Sequence, residues 1–147
     1  METKTPVVIF DLDGTLALIE HRRHFVTDGN KDWDSFFAAC VDDLPNIPVI
    51  ETCRALHDQH YIINIFSGRS DAVKEETKSW LKLHGIPHAT LVMRREGDFT
   101  SDVELKRSWI DSELREKTLM VFDDRDSVVK MWREEGFVCA QVAAGDF

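Results

Sequence analysis

Several features that would send this chain to other protein classes are missing from its 147 residues. Cysteine is scarce. Cys40, Cys53 and Cys139 are odd in number, far apart and without a CxxC spacing, which argues against a disulfide framework and against a zinc ribbon. No apolar run approaches bilayer length. The opening METKTPVVIFDLDG lacks the basic region, long apolar stretch and small-residue cleavage site of a signal peptide. The expectation is a cytoplasmic protein with no membrane contact. Positive charge is in deficit, with 18 lysines and arginines against 27 aspartates and glutamates and a net charge of −9. That balance counts against broad capture of a nucleic-acid backbone, though not against a small phosphate pocket lined by a few cations. With four prolines, seven glycines, no repeat and no low-complexity tract, nothing reads as a linker, and 1–147 is expected to be one domain.

What is present alternates between β-like and α-like patterns. PVVIFD is a short β-branched run, YIINIF (61–66) a buried strand, ATLVM (89–93) a short strand, TLMVF (118–122) a strand and FVCAQV a last one. Between them, Val49, Ile50, Cys53 and Leu56 recur at helical spacing. Val73, Thr77, Trp80, Leu81 and His84 do the same, with Ser70 or Asp71 as the N-cap and Gly85 just past the end. Val103, Ile110 and Leu114 form a weaker stripe, and DSVVKMWREE reads as a helix stopped by Gly136. This predicts an α/β fold, a mostly parallel sheet with helices on both faces. Residues 17–48 are the one long departure, predicted to be a small helical flap over the sheet's C-terminal edge, with Trp33, Phe36 and Phe37 as flap core rather than a base-stacking surface.

The stretch VVIFDLDGTL then poses a problem of charge. A strand buried on both faces ends in two carboxylates, Asp11 and Asp13, at the edge where open α/β sheets bind ligands. SGRS (67–70) follows the second strand and DDRDS (123–127) a later one, so three strand ends bring polar groups to one rim. An acidic cluster there suits a hard divalent cation such as Mg²⁺, and with it phosphoryl transfer, which depends mainly on positioning and charge neutralisation. One aspartate can attack phosphorus; the second, two residues on, can protonate the leaving oxygen and later deprotonate water. Gly14 permits a sharp turn, Thr15 adds a hydroxyl, and Ser67 and Gly68 of SGRS offer a phosphate cradle before a helix.

DLDGT, FSGRS, Lys106 and FDDRD, in that order, resemble the four motifs of the haloacid dehalogenase (HAD) superfamily, and the DxDGT form resembles its phosphatases. Within it the chain is most similar to the 3′-phosphatase domain of phage-type polynucleotide kinase-phosphatases. That likeness is strongest in LVMRREGD and in FDDRDSVVKMWREEGFVCAQVAAGDF, and loosest between Ala17 and His60. The resemblance implies a HAD-like three-layer sandwich. It makes Asp11 the nucleophile and a Mg²⁺ ligand, and Asp13 the general acid–base with its backbone carbonyl on the metal. Arg22, Arg69 and Lys106 would hold phosphate, and Asp102 would form a pair with Lys106 one helical turn away. Asp123 and Asp124 would bind the metal or orient its waters. No GxxxxGK[ST] loop occurs, so ATP-dependent phosphorylation is not expected.

Some assignments stay open at this level. Arg22 is preferred over its neighbour Arg23. Asp102 is a candidate N-cap as well as a partner of Lys106, and Asp126 reads as the N-cap of its helix rather than a third acid. Arg94 and Arg95 are either substrate contacts or surface charge, and no histidine has metal-ligand spacing. The function expected is removal of a phosphate, at a 3′ position, from nucleotides or polynucleotide ends. The alternatives are a 5′-mononucleotidase or small-metabolite phosphatase, and an inactive fold kept as an interaction module.

Overall fold

VVIF forms a strand in which every residue is buried. Successive side chains of a strand face opposite ways, so Val8 and Phe10 enter one core and Val7 and Ile9 the other. That double burial is why the run shows no apolar/polar alternation. The computed structural model describes residues 6–27, 29 and 31–147. The first five residues of the expected domain, and Asp28 and Asn30 of the expected flap, lie outside the described residues.

In chain order the elements are β1 (Val7–Phe10), β2 (Ala17–Leu18), α1 (His24–Thr27), α2 (Trp33–Ala38), β3 (Leu44–Pro45), α3 (Ile47–Asp58), β4 (Ile62–Ser70), α4 (Lys74–Leu83), β5 (Thr90–Arg94), α5 (Asp102–Ser108), α6 (Ser112–Lys117), β6 (Thr118–Asp123), α7 (Asp126–Glu134) and β7 (Cys139–Gln141). The main sheet has the order β5-β4-β1-β6-β7, and every pairing is parallel. On one face α3 and α4 supply Ile50, Cys53, Trp80 and Leu81 to the core of Val8, Phe10, Ile63 and Ile65. On the other, α7 supplies Val128, Val129, Met131 and Trp132 against Val7, Ile9, Phe66 and Val121. The result is the three-layer α/β sandwich that the sequence predicts, and no helix among the described residues is long and apolar enough to cross a membrane.

Four local expectations change. The flap is not purely helical: β2 and β3 form an antiparallel ribbon, Ala17 opposite Pro45 and Leu18 opposite Leu44. The Asn46 amide fastens it by donating to the Thr15 carbonyl at 2.8 Å. The weak stripe at 103–114 is two short helices, separated because Asp111 caps the second by accepting from the Leu114 N–H. Ser101, not Asp102, caps α5. Arg125 occupies the cap position of α7 without a side-chain bond, while Asp126 is already inside the helix and accepts from Gln141 Nε2 at 2.6 Å. Ser70 does cap, by accepting from the Ala72 N–H, but it opens a 3₁₀ turn (Asp71–Val73) that leads into α4.

Candidate active site

Asp11 continues β1, its N–H donating to the Phe122 carbonyl of β6 at 2.9 Å. The chain then folds back on Leu12, whose carbonyl accepts from the N–H groups of Thr15, Leu16 and Ala17. Gly14 makes this turn at φ +84°, and a Cβ there would overlap the Asp124 carboxylate. The turn therefore packs Asp11 and Asp124 together. Thr15 Oγ1 lies 3.1 Å from Asp11 Oδ2 and 3.3 Å from Asp124 Oδ1. Lys106, on α5, donates from Nζ to Asp11 Oδ1 at 2.7 Å and to Asp123 Oδ2 at 3.0 Å. The N–H groups of Asp124 and Arg125 fix the other oxygen of Asp123.

Asp11, Asp123 and Asp124 are all buried and offer carboxylate oxygens within 4.8 Å of one another. Their electrostatics are those of an anion cluster short of positive charge. Burial and then the neighbouring Asp123 raise the Asp11 carboxyl well above its usual range. The same two causes push Asp124 up to about 6. Burial alone would discharge Lys106, but Asp11 and Asp123 outweigh it and hold the ammonium firmly protonated. One lysine for three acids leaves room for a cation. The donors are hard oxygens, and the missing side chain at Gly14 is what makes space for one of them, so the set fits a divalent ion such as Mg²⁺.

Asp13 faces the other way. Its Oδ1 accepts from Arg22 Nη2 at 2.6 Å and from Arg69 Nη2. Burial would raise its pKa, but the charges of Arg69 and Arg22 and their hydrogen bonds prevail and hold it at about 2. Its carboxylate is accordingly not part of the acidic triad. Arg22 is fully buried in the flap, whereas Arg23 beside it is part-exposed and lies 3.6 Å from Glu20. Arg69 stands on a bulge: β4 runs on through SGRS instead of stopping before it, and its register against β5 jumps between Ser67 and Ser70. Ser67 Oγ accepts from the Arg69 N–H at 3.1 Å, and Arg69 Nη1 donates to Thr77 Oγ1 at 3.0 Å. The Nε of Arg69 is buried with no hydrogen-bond partner, a donor left over for an anion.

The sequence reading missed Asp43, which organises this half of the site. It accepts from Arg22 Nε and Nη2, both at 2.7 Å, and from Arg69 Nη2 at 3.3 Å, and its Oδ1 lies 2.6 Å from His21 Nε2. The indole N–H of Trp80 donates to its backbone carbonyl at 2.9 Å. Asp43 sits in DDLPN, whose only visible signal was a helix break. Asp102 acts on Lys106 through its charge, as expected of the pair, and has two further partners. It lies on the same helix as Lys106 and accepts from Arg94 Nη2 at 2.5 Å and Arg125 Nη1 at 2.7 Å. Arg94 is not a free surface charge. It also donates to the carbonyls of Gly68, Asp98 and Thr100, tying the bulge to α5.

A parallel α/β sandwich with Asp-x-Asp ending the central strand, a bulged SGR, a helix-borne lysine and a final acid pair defines a class, the HAD-type phosphatase. The signature described as polynucleotide kinase PNKP phosphatase domain matches residues 5–147, and the chain belongs to that family. It is 34% identical over 131 residues to a putative bifunctional polynucleotide kinase/RNA ligase of Autographa californica nuclear polyhedrosis virus, covering 86% of this chain and 18% of that protein. It superposes on a chain of the Pnkp1/Rnl/Hen1 complex with TM-score 0.82 and 33% identity, covering 99% of this chain and 49% of the other. A class C acid phosphatase from Bacillus anthracis matches with TM-score 0.64 and 18% identity over 86% of this chain and 54% of that one, a likeness of fold. The chain thus spans about half, or less, of the length of these relatives.

Proposed function

We propose that this phosphatase removes the terminal phosphate from a nucleotide or polynucleotide end, at the 3′ position, through an aspartyl-phosphate on Asp11. The observation that carries the reading is the convergence of Arg22 and Arg69 on one carboxylate oxygen of Asp13, beside the Asp11–Lys106 pair. Two guanidiniums meeting on Asp13, with an ammonium on Asp11 two residues away in the chain, suit a phosphate better than any neutral group. The relatives named for polynucleotide kinase, RNA ligase and RNA repair favour polynucleotide ends over free metabolites. The same reading takes 1–147 as one domain with 17–48 as its flap, working in the cytoplasm.

Substrate phosphate would draw the arginines onto its own oxygens, and Arg69 Nε would gain the acceptor it lacks. Asp13 then loses the bonds that keep it ionised and faces a phosphate dianion, and both changes favour its taking a proton. An Asp11 oxygen attacks phosphorus as the ester P–O bond breaks, and the leaving oxygen takes the proton of Asp13. Water then attacks the same phosphorus while Asp13 accepts its proton. The P–O bond to Asp11 breaks, freeing the carboxylate and inorganic phosphate. Lys106 holds Asp11 in place and offsets charge on it throughout. Asp11, Asp123 and Asp124, with the Asp13 carbonyl, would hold Mg²⁺, which supplies the charge that lets an anionic nucleophile approach an anionic phosphate.

The test is phosphate release from matched 3′- and 5′-phosphorylated nucleotides and oligomers, with Mg²⁺ and with EDTA. Release from 3′ ends in Mg²⁺ and none in EDTA is expected. A preference for 5′-mononucleotides would overturn the assignment of position, and full activity in EDTA the assignment of the metal.

A further inference from the structure

Three planar side chains meet beside the acid loop of this site, and the reaction uses none of them. Phe147 is 42% exposed. The guanidinium carbon of Arg23 lies 4.4 Å from its ring centroid, and that of Arg125 lies 5.3 Å away. Each comes from a different part of the protein. Arg23 follows Arg22 in the flap, Arg125 follows Asp124 in the acid loop, and Phe147 belongs to the segment after β7. Arg125 links the stack to the site: its N–H donates to Asp123 Oδ1 at 3.3 Å, and its guanidinium donates to Asp102, whose carboxylate lies against Gly68 of SGRS.

The segment is held there firmly. Gly145 packs so closely on Asp124 and Arg125 that a Cβ would overlap the Asp124 carbonyl. Its own carbonyl accepts from the Asp126 N–H at 2.7 Å. Arg125 Nε donates to the Phe147 carbonyl at 2.7 Å, and Arg125 Nη1 to Asp102 at 2.7 Å. The ring is thus displayed by fixed backbone. A cation–π stack in water is weak, and ordering two arginine side chains for it costs conformational entropy. In a chain of net charge −9, two cations flanking an exposed ring beside a phosphate pocket match what a nucleotide presents, a flat base next to negative charge.

We propose that Arg23, Phe147 and Arg125 form a stacking platform for the nucleobase of the substrate, so that one nucleoside is recognised beyond the phosphate. This rests on the phosphatase reading above and adds to it. The experiment compares kcat/KM for thymidine 3′-phosphate with that for its analogue carrying hydrogen in place of the base. Phe147→Ala is expected to lower the ratio about tenfold, the worth of one base–aromatic stack, with the loss in KM and kcat little changed. Phe147→Tyr keeps the ratio. Phe147→Leu, which preserves apolar volume without a π face, loses it like alanine. Phe99→Ala, removing an aromatic ring that is 90% exposed on another loop, leaves the ratio alone. An unchanged ratio in Phe147→Ala, a ratio kept by Phe147→Leu, or an equal fall in Phe99→Ala would each overturn the platform while the phosphatase reading stands. Should Phe147→Ala fail to fold, the Tyr and Leu pair decides alone. Failure of the wild-type protein to release phosphate from either compound would remove the phosphatase reading, and the platform with it.

Discussion

The two halves of the active site, built on Asp11 and on Asp13 with one leucine between them, solve opposite electrostatic problems. In one, three buried carboxylates share a single lysine, and the pKa values of Asp11 and Asp124 rise. In the other, two buried arginines share Asp13 and Asp43, and the pKa of Asp13 falls to about 2. The first half carries surplus negative charge and suits a cation. The second is charge-balanced at rest, and on the function proposed above a substrate phosphate would take the place of Asp13 on the arginines. The distinction between Asp11 and Asp13 therefore comes from environment, since the side chains are the same and only one leucine separates them.

The sharpest way to break this comparison is to replace one carboxylate by an amide in each half. Asp11→Asn should abolish turnover, by about four orders of magnitude or more, because an amide does not attack phosphorus. In metal-free protein it should also raise Tm, since it removes one of three crowded negative charges. Asp43→Asn should do the reverse. It leaves Arg22 and Arg69 short of a buried partner, a change of a kind that costs about 3–5 kcal/mol of stability, and it should lower kcat/KM by about 100-fold by loosening both arginines. Thermal melts of the two variants in EDTA check the signs. Equal signs would mean that the halves are not electrostatically distinct.

The contrast also marks what the sequence made legible. Asp11 and Asp13 stood out because they end a strand buried on both faces, and the parallel α/β class could be inferred from alternation of local patterns. Lys106 and the acid pair were found because motif order survives in one dimension. Asp43 was not, because its partnership with Arg22 spans 21 positions of flap, and nothing local distinguishes a buried aspartate from a solvated one in DDLPN. The bulge at Ser67–Ser70 and the ribbon at Ala17–Leu18 escaped for a related reason. Both depend on which strand lies alongside, whereas periodicity reports only on one strand's own faces. The caps at Ser101 and Arg125 moved by a single residue, within the ordinary uncertainty of helix ends.

Acid should sharpen the comparison in metal-free protein. Asp124 binds its proton up to about 6 when folded and releases it near pH 4 when unfolded. Between those values the folded state holds more protons at Asp124, so its contribution to stability is greatest below about pH 4 and declines as pH rises towards 6, opposite in sign to that of Asp13, whose pKa is lowered. Mg²⁺ should remove that decline by neutralising the cluster, and Asp124→Asn should flatten it without metal. Melts from pH 4 to 7 in EDTA and in Mg²⁺ read this directly. Equal pH dependence of the protein and Asp124→Asn in EDTA would show that the triad is not short of positive charge.

The smallest effect expected concerns substrate length. The positive charge of the site is concentrated at Arg22, Arg69 and Lys106, all buried, with Arg23 and Arg125 against the Phe147 ring. The chain as a whole is acidic, so a longer strand would meet repulsion or solvent beyond the first nucleotide. Each further phosphate contact would steepen the log–log salt dependence by about one unit. A 3′-phosphorylated mononucleotide and a longer 3′-phosphorylated oligomer should therefore show kcat/KM values within about threefold of each other and equally shallow salt slopes. Steady-state kinetics at several salt concentrations measure both quantities. A steep slope confined to the oligomer would locate a second basic surface, and the arginine half of the site would then be the start of a track rather than a closed pocket.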